Sequence, residues 1–341
     1  MKKLKMLLLH DGSETVPAET DFAKFEKTAQ WSTEISVLRA AKERGHSVSP
    51  LGFDGEIYPL IEEVMTQKPD VIFNLSESCL GEYRYDKNVP ALLELLNVPY
   101  TGTGPVGLMV CNNKAMTKKI LVYHNILVPR FCVYHVGETV KFPVLFNAPF
   151  FVKPLQEEAS TGICQRSFAA NQEQCKERVE FVHKHLNKDA LVEEYIEGRE
   201  LYVGVIGQGK HLKVLPVWEL KFDKMPDQEH KIATYRAKWN DSYRAKWGIR
   251  NECADPLPDG VEENIIDTCT KAYRVLNIDG YARFDLRLTP NNEVYIIEAN
   301  ANPELAKGED FAASAEKAGI SYEELVEMIV DQAIKRNRNS Q

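Results

Sequence analysis

The sequence predicts an α/β region that gives way to α+β structure: a mainly parallel, helix-covered sheet first, then two lobes built on antiparallel strands. Three observations carry this. Up to about residue 105, short apolar runs alternate with helical stretches, the pattern of parallel strands joined by helices. Past residue 280, two alternating runs flank four turn residues, the pattern of an antiparallel hairpin. And 341 residues with 44% hydrophobic content favour two or three packed lobes over one core.

In chain order, residues 4–9 read as the first buried strand and not as a signal peptide, because the opening MKKLKMLLLHDGSE reaches acidic, polar residues within a few positions. Residues 28–44 read as a helix stopped by Gly45, 46–51 as a strand, 58–68 as a helix stopped by Pro69 and 70–75 as a strand. A helix over 89–96 and a Pro/Gly turn over 98–103 complete an N-terminal unit of residues 1–110. The central unit, 111–191, has helices over 113–124 and 171–185, strands over 130–135, 150–154 and 190–195, and a Ser/Thr/Gly loop at 159–162. The last unit, 192–341, has strands over 201–206, 212–219, 281–288 and 293–299 and helices over 261–276 and 322–336. The pentapeptide at 235–239 recurs at 243–247; two copies are too few for a repeat architecture, so the stretch reads as a basic-aromatic loop, duplicated by chance or functional.

Bulk properties exclude several roles. Net charge is −8 and the basic residues gather only in the tail 335–338, so nothing here collects nucleic-acid phosphates. No window of eighteen apolar residues exists to span a membrane, and a soluble, cytoplasmic protein is expected. The seven cysteines are odd in number and lack CxxC or zinc-type spacing, so reduced thiols are expected. Cys79 reads as packing in preference to a nucleophile.

The strongest chemical signal is the hairpin Tyr281-Ala-Arg-Phe-Asp-Leu-Arg-Leu288 with Glu293-Val-Tyr-Ile-Ile-Glu-Ala-Asn300. With a 289–292 loop and no bulge, Leu288 pairs with Glu293, Arg283 with Glu298 and Asp285 with Ile296. Arg283, Asp285, Glu298 and Asn300 then share one face, while Ala282, Phe284, Leu286, Tyr295 and Ile297 make the other apolar. Asp285, Glu298 and Asn300 are hard oxygen donors suited to magnesium bound with nucleotide phosphates. The competing reading is a solvated face with one Arg–Glu pair, worth under about 1 kcal/mol. Lys153 ends an apolar strand before the loop 156–162, a point charge beside backbone N–H groups that suits phosphate. Taken alone, an exposed lysine before an ordinary turn is the better reading. In Leu191-Val-Glu-Glu-Tyr-Ile-Glu-Gly-Arg-Glu200, carboxylates and backbone groups suit an adenine amino group and ribose hydroxyls, with Ile196 against the ring; an acidic surface turn is the alternative.

Taken together and in order, Lys114 in Asn112-Asn-Lys-Ala-Met-Thr-Lys118, Phe151-Val-Lys-Pro154, the 193–200 segment, Arg283-Phe-Asp285 and Glu298-Ala-Asn300 resemble the ATP-grasp superfamily, most closely its D-alanine–D-alanine ligases and dipeptide-ligase relatives. The resemblance covers nearly the whole chain. It implies a three-lobed ATP-grasp fold, an N-terminal parallel α/β domain with ATP held between two α+β lobes, and an ADP-forming carboxylate–amine ligase acting through an acyl phosphate. It implies that Lys114, Lys153 and the Ser160 loop hold ATP phosphates, that Glu193, Glu194 and Ile196 line the adenine pocket, and that Glu200 binds ribose. Asp285, Glu298 and Asn300 match the ligands of Mg²⁺, with Mn²⁺ a substitute, and Arg283 matches the arginine that steadies the oxyanion. Lys238 corresponds to the lysine of a closing loop, with Lys246 in the second copy as its rival.

Departures from the family pattern cluster on the substrate side: His10-Asp-Gly-Ser-Glu14, Glu77-Ser78 before Leu80, Ala159 in the phosphate loop, and Pro303-Glu-Leu-Ala-Lys-Gly-Glu-Asp310. They imply altered substrate pockets, with Lys307 a candidate for an acceptor carboxylate and Glu304 or Asp310 for its amine. Small amino acids or carboxylates are the expected partners, and a homodimer is compatible with the resemblance. The alternatives are an ATP-grasp phosphotransferase, a ligase of the glutathione-synthetase or peptide-tagging kind with a larger carboxylate, and a silent nucleotide-binding scaffold.

Overall fold

The computed structural model describes residues 3–12, 31–141, 146–157, 159–226 and 229–339. The polar stretch 13–30, and with it the first residues of the helix expected at 28–44, lies outside them. β1 (Lys5–Asp11) runs in parallel between β2 (Ser47–Phe53) and β3 (Val71–Asn74). Met6 to Leu9 are all fully buried, as a strand covered on both faces requires. The crossovers are α1 (Ser32–Glu43) and α2 (Ile57–Gln67). Pro69 ends α2 by barring the right-handed helix at residue 68, and Lys68 turns instead through φ 48°. α3 (Asn88–Leu95) follows, then α4 (Pro105–Cys111), a helix absent from the sequence expectation although Pro105 stands at its first turn.

The central region begins with α5 (Lys114–Tyr123), whose first turn is capped by the Asn113 side chain accepting from Met116 N at 3.0 Å. β4 (Phe131–Tyr134), β5 (Phe150–Pro154), β6 (Phe168–Ala169), α6 (Gln172–Phe181) and β7 (Ala190–Glu194) complete it. Its sheet is antiparallel, in the order β4-β7-β5-β6.

The third sheet contains β8 (Arg199–Ile206), β9 (Lys213–Val214), β10 (Trp218–Phe222), β11 (Ile249–Cys253), β12 (Tyr281–Leu288) and β13 (Val294–Ala301), in the order β11-β10-β8-β12-β13 with β9 on β8. The single strand expected at 212–219 is divided, because Pro216 between β9 and β10 has no N–H for a ladder. The two pentapeptide copies are not irregular loop: they form α7 (Tyr235–Trp239) and α8 (Asp241–Trp247), each capped by the side chain before it, Thr234 and Asn240. α9 (Val261–Val275) and α10 (Asp310–Lys317) cover the sheet. α11 (Tyr322–Asn339) returns to the first sheet, where Leu325, Val326, Ile329 and Val330 share one core with Met6, Leu8, Val37 and Leu38. Among the described residues no helix is long and apolar enough to cross a membrane.

The hairpin register differs from the expected one. The turn takes five residues, so Leu288 pairs with Val294, and a bulge at Ile297 then shifts the register again. Asp285 therefore faces Glu298 and Arg283 faces Asn300. Ile296, with Leu286, turns into the core, and neither Tyr295 nor Ile297 belongs to it.

Candidate active site

A cleft of about 650 Å³ opens between the two antiparallel sheets. One wall carries Lys153 from β5, Glu193 and Glu194 from β7, Ile196 and Ser160; the other carries Lys238, Asp285, Arg287, Ile297 and Glu298. The Ile297 bulge has a direct effect here, since it sets the carboxylates of Asp285 and Glu298 on adjacent strands of one face. Arg283 donates to both Asp285 oxygens, Nε at 2.8 Å and Nη2 at 3.1 Å, and lies 4.9 Å over the Tyr202 ring. The Asn300 amide donates to the Arg283 carbonyl at 3.5 Å.

Behind this face lies a buried group of lysines. Lys114 Nζ is 2.8 Å from Glu298 Oε1 and donates to the Glu157 carbonyl at 2.6 Å. Lys153 Nζ is 3.1 Å from Glu193 Oε2, and Lys118 Nζ is 2.8 Å from Glu193 Oε1. Burial pushes the Glu298 carboxyl up, but Lys114 and Lys153 outweigh it and hold the group near about 2. Burial acts on Glu193 in the same direction and is overcome by Lys118 and Lys153, leaving its carboxyl below the usual range. Lys114 pairs with Glu298, Lys118 and Lys153 share Glu193, and the charge of Lys238 is felt by Glu298 and Asp310, while Asp285 is held by Arg283.

The loop that follows Lys153 is stapled to the segment leading into α7. Ser160 Oγ donates to the Ala233 carbonyl at 2.8 Å, Trp239 Nε1 to the Ala159 carbonyl at 2.9 Å and Tyr235 N to the Ile163 carbonyl at 3.1 Å. His230 stacks on Phe168 with ring centroids 3.5 Å apart. Lys238 is thereby held over the cleft, whereas exposed Lys246 lies 4.3 Å over the ring of Trp247 and outside the cleft lining.

Two expected binders are differently engaged. Glu194 is forked by Arg130 at 2.8 and 2.9 Å, and Glu200 accepts from Arg287 at 2.7 Å and Tyr202 at 3.0 Å. Both line the cleft with their side chains already paired. Lys307 leans on Glu323 at 3.3 Å, exposed and outside both cavities described here. Asp310 lies by Arg283 and accepts from Asn251 at 2.6 Å. Burial pushes the half-buried Cys79 thiol up, away from a thiolate nucleophile. Sequence reasoning passed over Lys118 and Arg287, although each carried a signal: Lys118 is four residues from Lys114 on one helical face, and Arg287 is two from Asp285 on one strand face.

A second cavity, about 760 Å³, lies where the C-terminal end of β1 meets the start of α1 and the 302–305 turn. Among the described residues its lining includes the carboxylates of Asp11, Glu34, Glu77 and Glu304 and no lysine or arginine. Burial pushes Asp11 and Glu34 above the ordinary carboxylate range.

Among the described residues no cluster of three or more His, Cys, Asp and Glu side chains suits a metal ion by itself. The oxygens that face the cleft are instead two carboxylates with an amide nearby, Glu298 firmly ionised, a donor set that fits magnesium shared with ligand phosphates.

Residues 120–331 match the family model described as D-ala D-ala ligase C-terminus. The chain is 31% identical over 299 residues to the D-alanine–D-alanine ligase of Bordetella petrii, covering 87% of each. It is 31% identical over 311 residues to that of Pseudothermotoga lettingae, covering 88% of this chain and 93% of the relative. A crystal structure of the D-alanine–D-alanine ligase of Bacillus anthracis with ATP shares the fold at TM-score 0.74 and 19% identity, over 99% of this chain and 100% of that one. The chain belongs to the D-alanine–D-alanine ligase family, ADP-forming carbon–nitrogen ligases built on the ATP-grasp fold.

Proposed function

We propose that the cleft binds ATP with magnesium and that the protein joins a carboxylate to an amine through an acyl phosphate. The observation that carries this is the convergence of Lys153 and Lys238 on the cleft lining, with Lys114 and Lys118 buried behind them, next to an apolar patch of Ile163, Ile196, Ile232 and Leu286. A polyphosphate is the anion that ammonium groups gathered in this way would hold. Lys153 and Lys238 contact its phosphates, Lys114 acts beside them through its pair with Glu298, and Ser160 holds its loop in place. Ile196 packs on the adenine. Glu193 orients Lys153, and Glu194 and Glu200 shape the adenine and ribose ends through their arginine partners. Asp285, Glu298 and Asn300 would hold magnesium, which when bound neutralises phosphate charge.

The substrate carboxylate attacks the γ-phosphorus and ADP leaves; the amine then attacks the acyl carbon, inorganic phosphate leaves, and the nitrogen gives up a proton. Arg283, fixed by Asp285, is placed to stabilise the oxyanion of the second step. The stapled 159–163 and 230–239 segments exclude water from the acyl phosphate.

The substrate side supports a change from the family pattern. Among the described residues the second cavity presents four carboxylates and no basic side chain, which favours an amine-bearing substrate over a simple anionic one, with Glu304 rather than Lys307 at its edge. The test is ADP and phosphate release with Mg-ATP across pools of D- and L-amino acids and small carboxylic acids, with mass spectrometry of the product. Release that requires both a carboxylate and an amine, with a product one water lighter than the pair, supports the ligase. ADP release without a condensed product overturns it in favour of a phosphotransferase.

A further inference from the structure

Lys118, like Lys114, does not line the cleft; its side chain is only 2% exposed and carries a formal charge. Burial pulls its ammonium below the ordinary lysine range, opposed by the attraction of Glu193. A lysine in such a place needs strong partners, and Lys118 has two on opposite walls. It is 2.8 Å from Glu193 Oε1 on β7, and it donates to the carbonyl of Ile297 on β13 at 3.0 Å.

Each partner bears on a different part of the site. Glu193 uses its other oxygen to hold Lys153 Nζ at 3.1 Å. Ile297 is the bulged residue whose insertion brings Glu298 opposite Asp285. One ammonium therefore fixes the carboxylate that aims the Lys153 charge and the backbone kink that places a candidate magnesium ligand.

We propose that Lys118 is a positioning residue for the nucleotide site: it ties the β7 wall to the β13 bulge, so that Lys153 and the Asp285–Glu298 pair are presented together to a magnesium-bound polyphosphate. This rests on the reading of the cleft as a nucleotide site. Its role is indirect, through groups that touch the ligand, and the loss of such supporting contacts costs about 10- to 100-fold in metal affinity or activity.

The experiment is calorimetric binding of a non-hydrolysable ATP analogue to the full-length protein, with magnesium titrated separately, for the unchanged protein, Lys118→Met, Glu193→Gln and the double variant. Lys118→Met is expected to weaken analogue binding about 10- to 100-fold and to raise the magnesium midpoint by a similar factor, with a cooperative melt retained. In the Glu193→Gln background the same change is expected to have a smaller effect on analogue affinity, because the path to Lys153 is already broken, while still raising the magnesium midpoint through Ile297. Should Lys118→Met not fold, Lys118→Gln retains a donor for the Ile297 carbonyl and loses the charge facing Glu193. It is then expected to lower analogue affinity with little change in the magnesium midpoint. Affinity and midpoint within about twofold of the unchanged protein, in a folded variant, overturn the positioning role and leave the nucleotide site standing. Failure of the unchanged protein to bind the analogue at any magnesium concentration overturns both readings together.

Discussion

Lys238→Ala and Lys246→Ala remove the same side chain from the same pentapeptide, and the structure assigns them opposite outcomes. Lys238 lines the cleft, and its charge is felt by Glu298 and Asp310. Its segment is tied to the 159–163 loop by the Ser160, Tyr235 and Trp239 hydrogen bonds. Removing one positioned donor that meets charge developing in a transition state costs about 2–4 kcal/mol, or about thirtyfold to a thousandfold in kcat. Lys246 makes a cation–π contact with Trp247 at 4.3 Å on an exposed helix face, worth about 0.5–1 kcal/mol of stability and nothing in the cleft. Steady-state ADP release at saturating Mg-ATP, with a thermal melt of each variant, separates them. Lys238→Ala is expected to lose kcat with an unchanged melt, and Lys246→Ala to keep kcat within about twofold. A loss of tenfold or more on Lys246→Ala, with Lys238→Ala near normal, would refute the assignment and exchange the roles of the two copies.

Other consequences can be measured separately. Arg283→Met is expected to lower kcat about a hundredfold, since an oxyanion donor is lost, with analogue affinity changed far less; a purely structural Arg283 would lower the melting temperature without that asymmetry. The folded-state pKa of Glu298 is depressed to about 2, so its pairing with Lys114 contributes stability that is complete above the ordinary glutamate range and fades as pH falls through that range toward about 2. Glu298→Gln should flatten that part of an acid-unfolding profile, and an unaltered profile would rule the pair out as its source. Gly198 sits at φ 154°, and a Cβ there would meet the Leu288 carbonyl oxygen at 2.1 Å. Gly198→Ala is therefore expected to cost about 2 kcal/mol or more in chemical denaturation, because the strand-end backbone must move.

The elements most legible in the sequence were those fixed by local pattern. β5 and β12 fall on the expected residues because apolar runs bounded by turn residues leave little freedom. The shared face of Asp285 and Glu298 also followed, since either register keeps them on one side. What sequence could not supply was the count of residues in the turn and the bulge: each shifts the ladder by one without changing the alternation that was visible. Pro216 was an available signal for the break between β9 and β10 and was overridden by the apolar run around it. α7 and α8 are short, polar and dependent on their Thr234 and Asn240 caps, so periodicity is weak over them. At the site, residue types indicated which groups gather but not whom they pair with. Glu194 and Glu200 looked free for a ligand, and only tertiary placement reveals Arg130 and Arg287 beside them.

The return of α11 to the first sheet bears on how the molecule is made. Strands β1 to β3 precede α11 by the length of both antiparallel sheets, yet one face of their core is closed by its Leu325, Val326, Ile329 and Val330. Until α11 has been made, Met6 and Leu8 lack their final cover, so β1 to β3 cannot complete their packing as they emerge and must wait, half-wrapped, for a helix that follows both other sheets. Removing α11 would accordingly unpack β1 to β3 before it disturbed the cleft between the antiparallel sheets.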